Sequence, residues 1–307
     1  MKKITGRLTA ALSVFGLTAM ILLFPQKSLS YAARGLNLWF QNMIPTLFPF
    51  MVLSGIMIRM NLTDSFVRFL KPALSPVFNV NSDCLYTIII GFLCGFPMGA
   101  CVAGQLYRQK KITRGEAEFL LAFCNNIGPV YFISFVIPLI RLTRLPALLI
   151  GMYGIPFLYG TVLRYTVYRS LDSEKGAARL LKASTPFLQA LDESVTASLT
   201  SITKLGGYMI LFNLMSLLPS LLLKNQTLLA VSSALLEISG GLSLLGDKAP
   251  LLSLSLLPFG GFSCIAQTYS MIRDTDLSLK NYVLHKLVLT AVSFVYYSFL
   301  AAKSFGA

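Results

Sequence analysis

Apolar residues fill this chain in long blocks separated by short polar stretches. A helix needs about 20 mostly apolar residues to cross the hydrocarbon core of a bilayer. Residues 4–24, 43–60, 118–140, 146–163, 196–223 and 281–301 come close to that length and are each predicted to span as a helix. Residues 227–245 are as apolar but carry Glu237. Two more blocks, 84–107 and 251–271, are interrupted near their centres by Gly and Pro, in GFLCGFPMGA (91–100) and LPFGGFS (257–263). The pattern predicts an all-α polytopic membrane protein.

Charge gives the spans a direction. Only 12% of residues are charged, against about 25% in soluble domains, so most of the surface is built to face something apolar. Lys and Arg total 26 against 12 Asp and Glu, a net charge of +14. These basic residues punctuate the apolar blocks, which suits cytoplasmic loops and anionic lipid headgroups. No interleaved aromatic and basic face is present for nucleic acid. YRQKKITR (107–114) marks one cytoplasmic loop, and Arg164, Arg169, Lys175, Arg179 and Lys182 mark a second. RLTR (141–144) joins the intervening spans outside, against this rule but weakly. The basic start and apolar core of residues 1–24 resemble a signal peptide. No small-residue cleavage site follows, so an uncleaved first helix with a cytoplasmic N-terminus is expected. Both ends of 84–107 then lie at the cytoplasmic face, making this block a re-entrant hairpin.

The two halves echo each other. MIPTLFPFMVL (43–53) aligns with SITKLGGYMIL (201–211), matching Leu47 with Leu205, Met51 with Met209 and Leu53 with Leu211. GACVAGQLY (99–107) aligns with GFSCIAQTY (261–269) at a similar offset. Residues 43–60 run inward and 196–223 outward. Related segments of opposite direction form an inverted repeat, the architecture of many secondary transporters. The expected organisation is an N-terminal membrane helix (1–30), a first repeat (31–165), a cytoplasmic linker (166–194) and a second repeat (195–307). Each repeat carries one Gly/Pro-broken re-entrant hairpin, with loops 108–114 and 272–276 on opposite faces.

Broken backbone inside a membrane leaves N–H and C=O groups without partners unless protein or a water-filled cavity supplies them. Paired breaks are therefore a pointer to a binding site. Gly95, Pro97, Gly99 and Ala100 form one expected tip, and Gly260, Gly261 and Ser263 the other. Free amides at each half-helix start, with the positive end of the dipole, suit an anion. The competing reading is close helix packing through Gly91, Gly95 and Gly99. CNNIGP (124–129) is a third break, whose Asn125 and Asn126 are expected to line the site rather than only cap a kink. Glu237 in LLEISGG (235–241) costs roughly 2.5–3.5 kcal/mol to insert and is a functional candidate. An interfacial position is its alternative. Gln267 is grouped with these three polar residues around one cavity. Lys204 is read as a snorkelling residue, His285 as structural, and NLWFQN (37–42) as an aromatic interface anchor.

The five cysteines form no CxxC pair and His285 is the lone histidine. No metal, cofactor or disulfide framework is expected. The chain lacks GxSxG, HExxH, a nucleotide-binding loop and paired intramembrane Asp. Neither an enzyme nor intrinsic ATP drive is expected.

GLNLWFQNMIPTLFPFMVLSGIM, GFLCGFPMGA, ITRGEAEFLLAFCNNIGP, LLEISGG and the AQ after GGFS together resemble the sporulation integral membrane proteins of the YlbJ (stage V sporulation) type. The resemblance covers nearly all of residues 31–301. It implies a nucleoside-recognition (Gate) domain, shared with concentrative nucleoside transporters and the membrane part of ferrous iron transporters. It further implies a place in the cell membrane, with the outer forespore membrane as one location, and movement of dipicolinic acid from mother cell toward forespore. Relatives often carry a basic residue after GFPxGA, where this chain has Cys101.

The leading expectation is a carrier or facilitator of a small organic anion, with lipid and that anion as partners. The coupling ion is unassigned and a homo-oligomer is left open. A non-transporting scaffold of spore-envelope assembly and a nucleoside transporter are the alternatives.

Overall fold

The computed structural model describes residues 2–142, 144–171 and 185–305. Lys175, Arg179 and Lys182, expected to mark a cytoplasmic loop, lie outside the described residues, as does much of the expected linker. The described chain is helical throughout, with no strand. Among the described residues, five helices are long and apolar enough to cross a membrane: Pro25–Arg59, Leu145–Tyr165, Phe187–Leu222, Pro250–Ile272 and Leu279–Ala302. Phe15, Leu22, Phe69, Leu158, Val295 and Phe299 are exposed, an apolar exterior suited to lipid.

Two predicted spans prove longer than the apolar count suggested. The block 43–60 belongs to Pro25–Arg59, and 196–223 begins at Phe187. These long helices pack antiparallel along most of their length. Gly35 lies against Met209 and Ile210, and Gly55 against Ser194. At the end of the pair, Arg59 Nε meets Glu193 Oε2 at 3.0 Å. Trp39 Nε1 donates to Ile202 O at 2.9 Å, and its indole fills the space beside Gly206. Trp39 is thus a staple between helices rather than the interface anchor expected.

Residues 118–140 form no continuous helix. A capping box at Thr113 and Glu116 starts Arg114–Phe123. The chain is then irregular through Asn125–Gly128 and turns helical again at Pro129.

Ser82–Cys94 and Met98–Arg108 fold back on each other. Asn81 Nδ2 donates to Glu116 Oε1 at 2.7 Å at the start of this pair. Lys111 Nζ, just beyond its end, bonds Ile58 O at 2.8 Å. Both ends therefore lie together, at the end of the molecule that carries Ile58 and Arg59. Arg164 joins the same end of the molecule, though as a buried clamp and not a loop charge. It donates to the carbonyls of Phe78, Asn79 and Leu171 at 2.7, 2.9 and 2.8 Å.

The second fold-back corrects the expected one. It lies at Glu237, between Gln226–Leu236 and Ile238–Leu245. A Cβ added to Gly241 would fall on the Ala234 backbone, so the two arms touch. This pair begins and ends at the other end of the molecule, where Arg141 Nη1 approaches Asp247 Oδ2 at 3.4 Å. The expected hairpin of 251–271 is instead two helices, Pro250–Leu256 and Gly261–Ile272, forming one interrupted span.

The loops after Arg108 and Ile272 are neighbours, contrary to their expected separation on opposite faces. Tyr107 Oη donates to Asp276 Oδ1 at 2.7 Å, and Arg114 Nη1 lies 3.5 Å from Asp276 Oδ2. Hydrogen bonding to Tyr107, then Arg114 nearby, holds the Asp276 carboxyl below its ordinary range. Aligning GACVAGQLY with GFSCIAQTY therefore matched two helices of the same direction.

Candidate functional site

The site is built by backbone that leaves the helix. At the first tip Gly95 takes a positive φ of 85°, which glycine adopts freely. A Cβ there would collide with the Gly128 amide, and one on Gly91 or Gly99 would strike Cys124 O. The folded pair Ser82–Arg108 thus lies directly on the break at 124–128. Gly261, at φ 81°, does the same in the second half: its Cβ would stand 2.9 Å from Ala234 O and 3.2 Å from the carbonyls of Leu235 and Leu236. Each fold-back is matched to the interrupted span that follows it.

The tips border a half-open cavity of about 70 Å³. Phe96 comes from the first tip, Gly128 and Tyr131 from the first break, Glu237 and Ser239 from the second tip, and Gln267 from the interrupted span. The antiparallel long helices close it with Leu47 and Leu205, two residues aligned in the sequence. The wall is largely apolar, with few polar groups, as ligand sites commonly are.

Glu237 is the N-cap of Ile238–Leu245 and is buried. Its Oε2 accepts from Gly240 N at 2.7 Å and from Asn213 Nδ2 at 3.3 Å. The interfacial alternative does not hold. The protein's own carboxylate already occupies that helix start. Gln267 Nε2 donates to Ser263 Oγ at 3.1 Å, placing Ser263 one step behind the cavity wall. Tyr131 Oη donates to Ser239 Oγ at 2.8 Å.

Asn125 and Asn126 do not join that cavity. Asn125 Oδ1 accepts from Ala100 N at 3.3 Å, and its Nδ2 donates to Thr268 Oγ1 at 2.9 Å and Tyr282 Oη at 3.1 Å. The amide at the first half-helix start is thereby occupied by a side chain. Pro97 is the N-cap position of the same helix. Asn126 Oδ1 accepts from Lys286 Nζ at 3.0 Å, and Asn125 O accepts from the same ammonium. Of the four polar residues expected to share one cavity, Glu237 and Gln267 do, whereas the two Asn residues serve the adjacent break.

Lys286 was not singled out in the sequence. It is fully buried in the last span, with its Nζ 4.6 Å from the centroid of Phe96 and 5.7 Å from that of Tyr282. The signal was a basic residue seven positions into Leu279–Phe305, where snorkelling is the ordinary fate. Lys204 is exposed. His285 Nδ1 pairs with Tyr159 Oη at 2.7 Å, a structural link. Cys101 is half-buried on Met98–Arg108, so the interior ammonium comes from the last span and not from the tip.

No family model matches the chain. No solved structure matches it either. Over 331 aligned positions it is 26% identical to the sporulation integral membrane protein YlbJ of Bacillus subtilis (strain 168), covering 94% of this chain and 81% of that protein. The similarity to that sporulation integral membrane protein runs nearly end to end, and with five apolar spans among the described residues it supports a multi-pass membrane protein.

Proposed function

We propose that the protein is a secondary carrier of a small organic anion, and that its two halves form an inverted repeat around the central cavity. The observation that carries this reading is the meeting of two folded-back helix pairs from opposite ends on one cavity. Broken helices at membrane depth persist where they line a site. Element order supports the inversion. A long span is followed by a folded-back pair, an interrupted helix and a further span, first in Pro25–Tyr165 and again in Phe187–Phe305. In this pairing GFPMGA corresponds to LLEISGG, and CNNIGP to LPFGG.

A cavity of about 70 Å³ is far below the roughly 300–1,000 Å³ of drug-sized ligand sites. The solute therefore enters when the tips separate. Glu237 sets the electrostatic condition. A second negative charge 4 Å from its carboxylate costs about 4 kcal/mol at an effective dielectric near 20. The anion accordingly enters with a proton on Glu237, and its own carboxylate takes over the Gly240 amide. Resemblance to the sporulation family puts dipicolinic acid first among candidates.

The test is uptake of radiolabelled dipicolinate into proteoliposomes, with a nucleoside and a monocarboxylate as parallel substrates. Dipicolinate flux above protein-free vesicles supports the reading. Nucleoside flux alone would favour the Gate-type nucleoside carrier, and no flux of any of the three would favour a scaffold.

A further inference from the structure

We propose that the Lys286 ammonium is a tethered cation standing in a monovalent metal-ion site at the first helix break. The donors around it are those that bind a hard cation. Nζ meets the backbone carbonyl of Asn125 and Oδ1 of Asn126, and the faces of Phe96 and Tyr282 lie within 6 Å. No carboxylate is among these partners. Both oxygens lie just past the C-terminal end of Arg114–Phe123, where the helix dipole is negative and favours a cation.

A buried charge is costly unless paired and hydrogen-bonded, so an ammonium held by neutral oxygens needs a reason to be there. The reason lies in the break. Once the helix stops at Cys124, the Asn125 carbonyl has no partner from the next turn, and the Asn126 side chain turns back to Phe123 O through Nδ2 at 2.5 Å. This leaves Asn125 O and Asn126 Oδ1 converging on one point. Unwound carbonyls in broken membrane helices commonly hold Na⁺ or H⁺. Here the last span delivers the cation covalently. Phe96 separates Lys286 from the central cavity and lines that cavity. The tethered charge thus fixes the first tip against the break with no ion from solution. This site therefore needs no Na⁺, whatever solute the protein carries.

This inference is separate from the anion reading, and its test needs no substrate. The full chain is purified in detergent, and its Tm is read in NaCl, KCl and choline chloride at equal ionic strength. Wild type should show one Tm in all three. Lys286→Ala removes the ammonium and opens the space, leaving the two oxygens facing a hole. Its Tm should fall and should recover, saturably, with Na⁺ or K⁺ but not choline. Lys286→Met fills the space with an uncharged chain, so its lowered Tm should ignore the salt. Asn126→Leu added to Lys286→Ala should abolish the recovery. If Lys286→Ala yields no folded protein in choline, membranes are extracted in each salt and the monodisperse fraction is measured by size exclusion. Recovery in NaCl or KCl supports the site. A Lys286→Ala protein indifferent to the three salts, or unfolded in all of them, overturns it, as does a wild-type Tm that rises with Na⁺.

Discussion

Asn125 Nδ2 donates to Thr268 Oγ1 at 2.9 Å, joining the break in the first half to the interrupted span of the second. The same amide reaches Tyr282 Oη, and Oδ1 receives the Ala100 amide. One buried side chain therefore holds four segments. Asn125→Leu keeps the volume and removes every bond. A buried polar group left without its partner costs about 1–3 kcal/mol, and up to three are left here. A clear fall in Tm is expected by thermal unfolding in detergent, and a wild-type Tm would show that the network contributes nothing.

The glycines of GFPMGA separate packing from ligand contact. A Cβ on Gly99 would stand 2.5 Å from Cys124 O, whereas Gly207 has nothing within 4 Å. Overpacking typically costs 1–3 kcal/mol, about the expected loss for Gly99→Ala. Gly207→Ala should be neutral or stabilising by up to about 1 kcal/mol. The pair is compared by folded yield and Tm. A Gly99→Ala protein that is stable but fails only in flux would restore direct ligand contact as the role of this glycine.

Glu237 predicts a pH dependence of flux. If the anion enters with a proton on this carboxylate, uptake rises as the external pH falls. Glu237→Gln keeps an oxygen for Gly240 N and cannot ionise. It should carry substrate at a rate that no longer varies with pH. The check is initial uptake across a pH series at fixed membrane potential, and a Gln variant with the wild-type pH profile would remove Glu237 from the coupling.

Side assignment is decided by labelling. Asp276 lies against Tyr107 and Arg114, and Asp247 lies near Arg141. Single cysteines placed at Asp276 and Arg114, with the native cysteines replaced, should react from the same side of the membrane. A cysteine at Asp247 should react from the other. By the basic residues around the first pair, that side is expected to be the cytoplasm. Labelling of Asp247 and Asp276 from one side would contradict the proposed inversion.

Arg164 offers a stability test away from the cavity. Its guanidinium serves the carbonyls of Phe78, Asn79 and Leu171. A lysine has one ammonium on a flexible stem and cannot reproduce this planar fork. Arg164→Lys should lose about 1–3 kcal/mol for each carbonyl left unpaired and open the 71–81 turn to protease. Unchanged proteolysis there would show that the clamp is dispensable.

Hydropathy alone pointed to a helical membrane protein, placed four of the five spans found among the described residues, and marked the backbone breaks at 95–97, 124–128 and 257–260; the block 4–24, read as a span, is not among the five, its apolar helix being the shorter Ala11–Leu23. Those features are local. About 20 apolar residues cross a bilayer whatever their neighbours do, and clustered Gly and Pro weaken a helix locally, although single ones such as Pro49 stand inside one. Leu47 and Leu205, aligned in the sequence, both line the same cavity from antiparallel helices. Which breaks belong together was decided only by the tertiary structure. GFPMGA was paired with LPFGGFS because both are rich in Gly and Pro, but in the proposed inversion its counterpart is LLEISGG, which folds back at a glutamate. Whether a break reverses the chain or merely interrupts a span depends on what packs across it: Gly241 lies on Ala234, and Gly261 on the carbonyls that end the same helix. Lys286 escaped notice for the same reason. A lysine near the end of an apolar span looks alike in sequence whether it reaches water or, as here, two oxygens more than a hundred residues away in the chain that the fold alone brings to it.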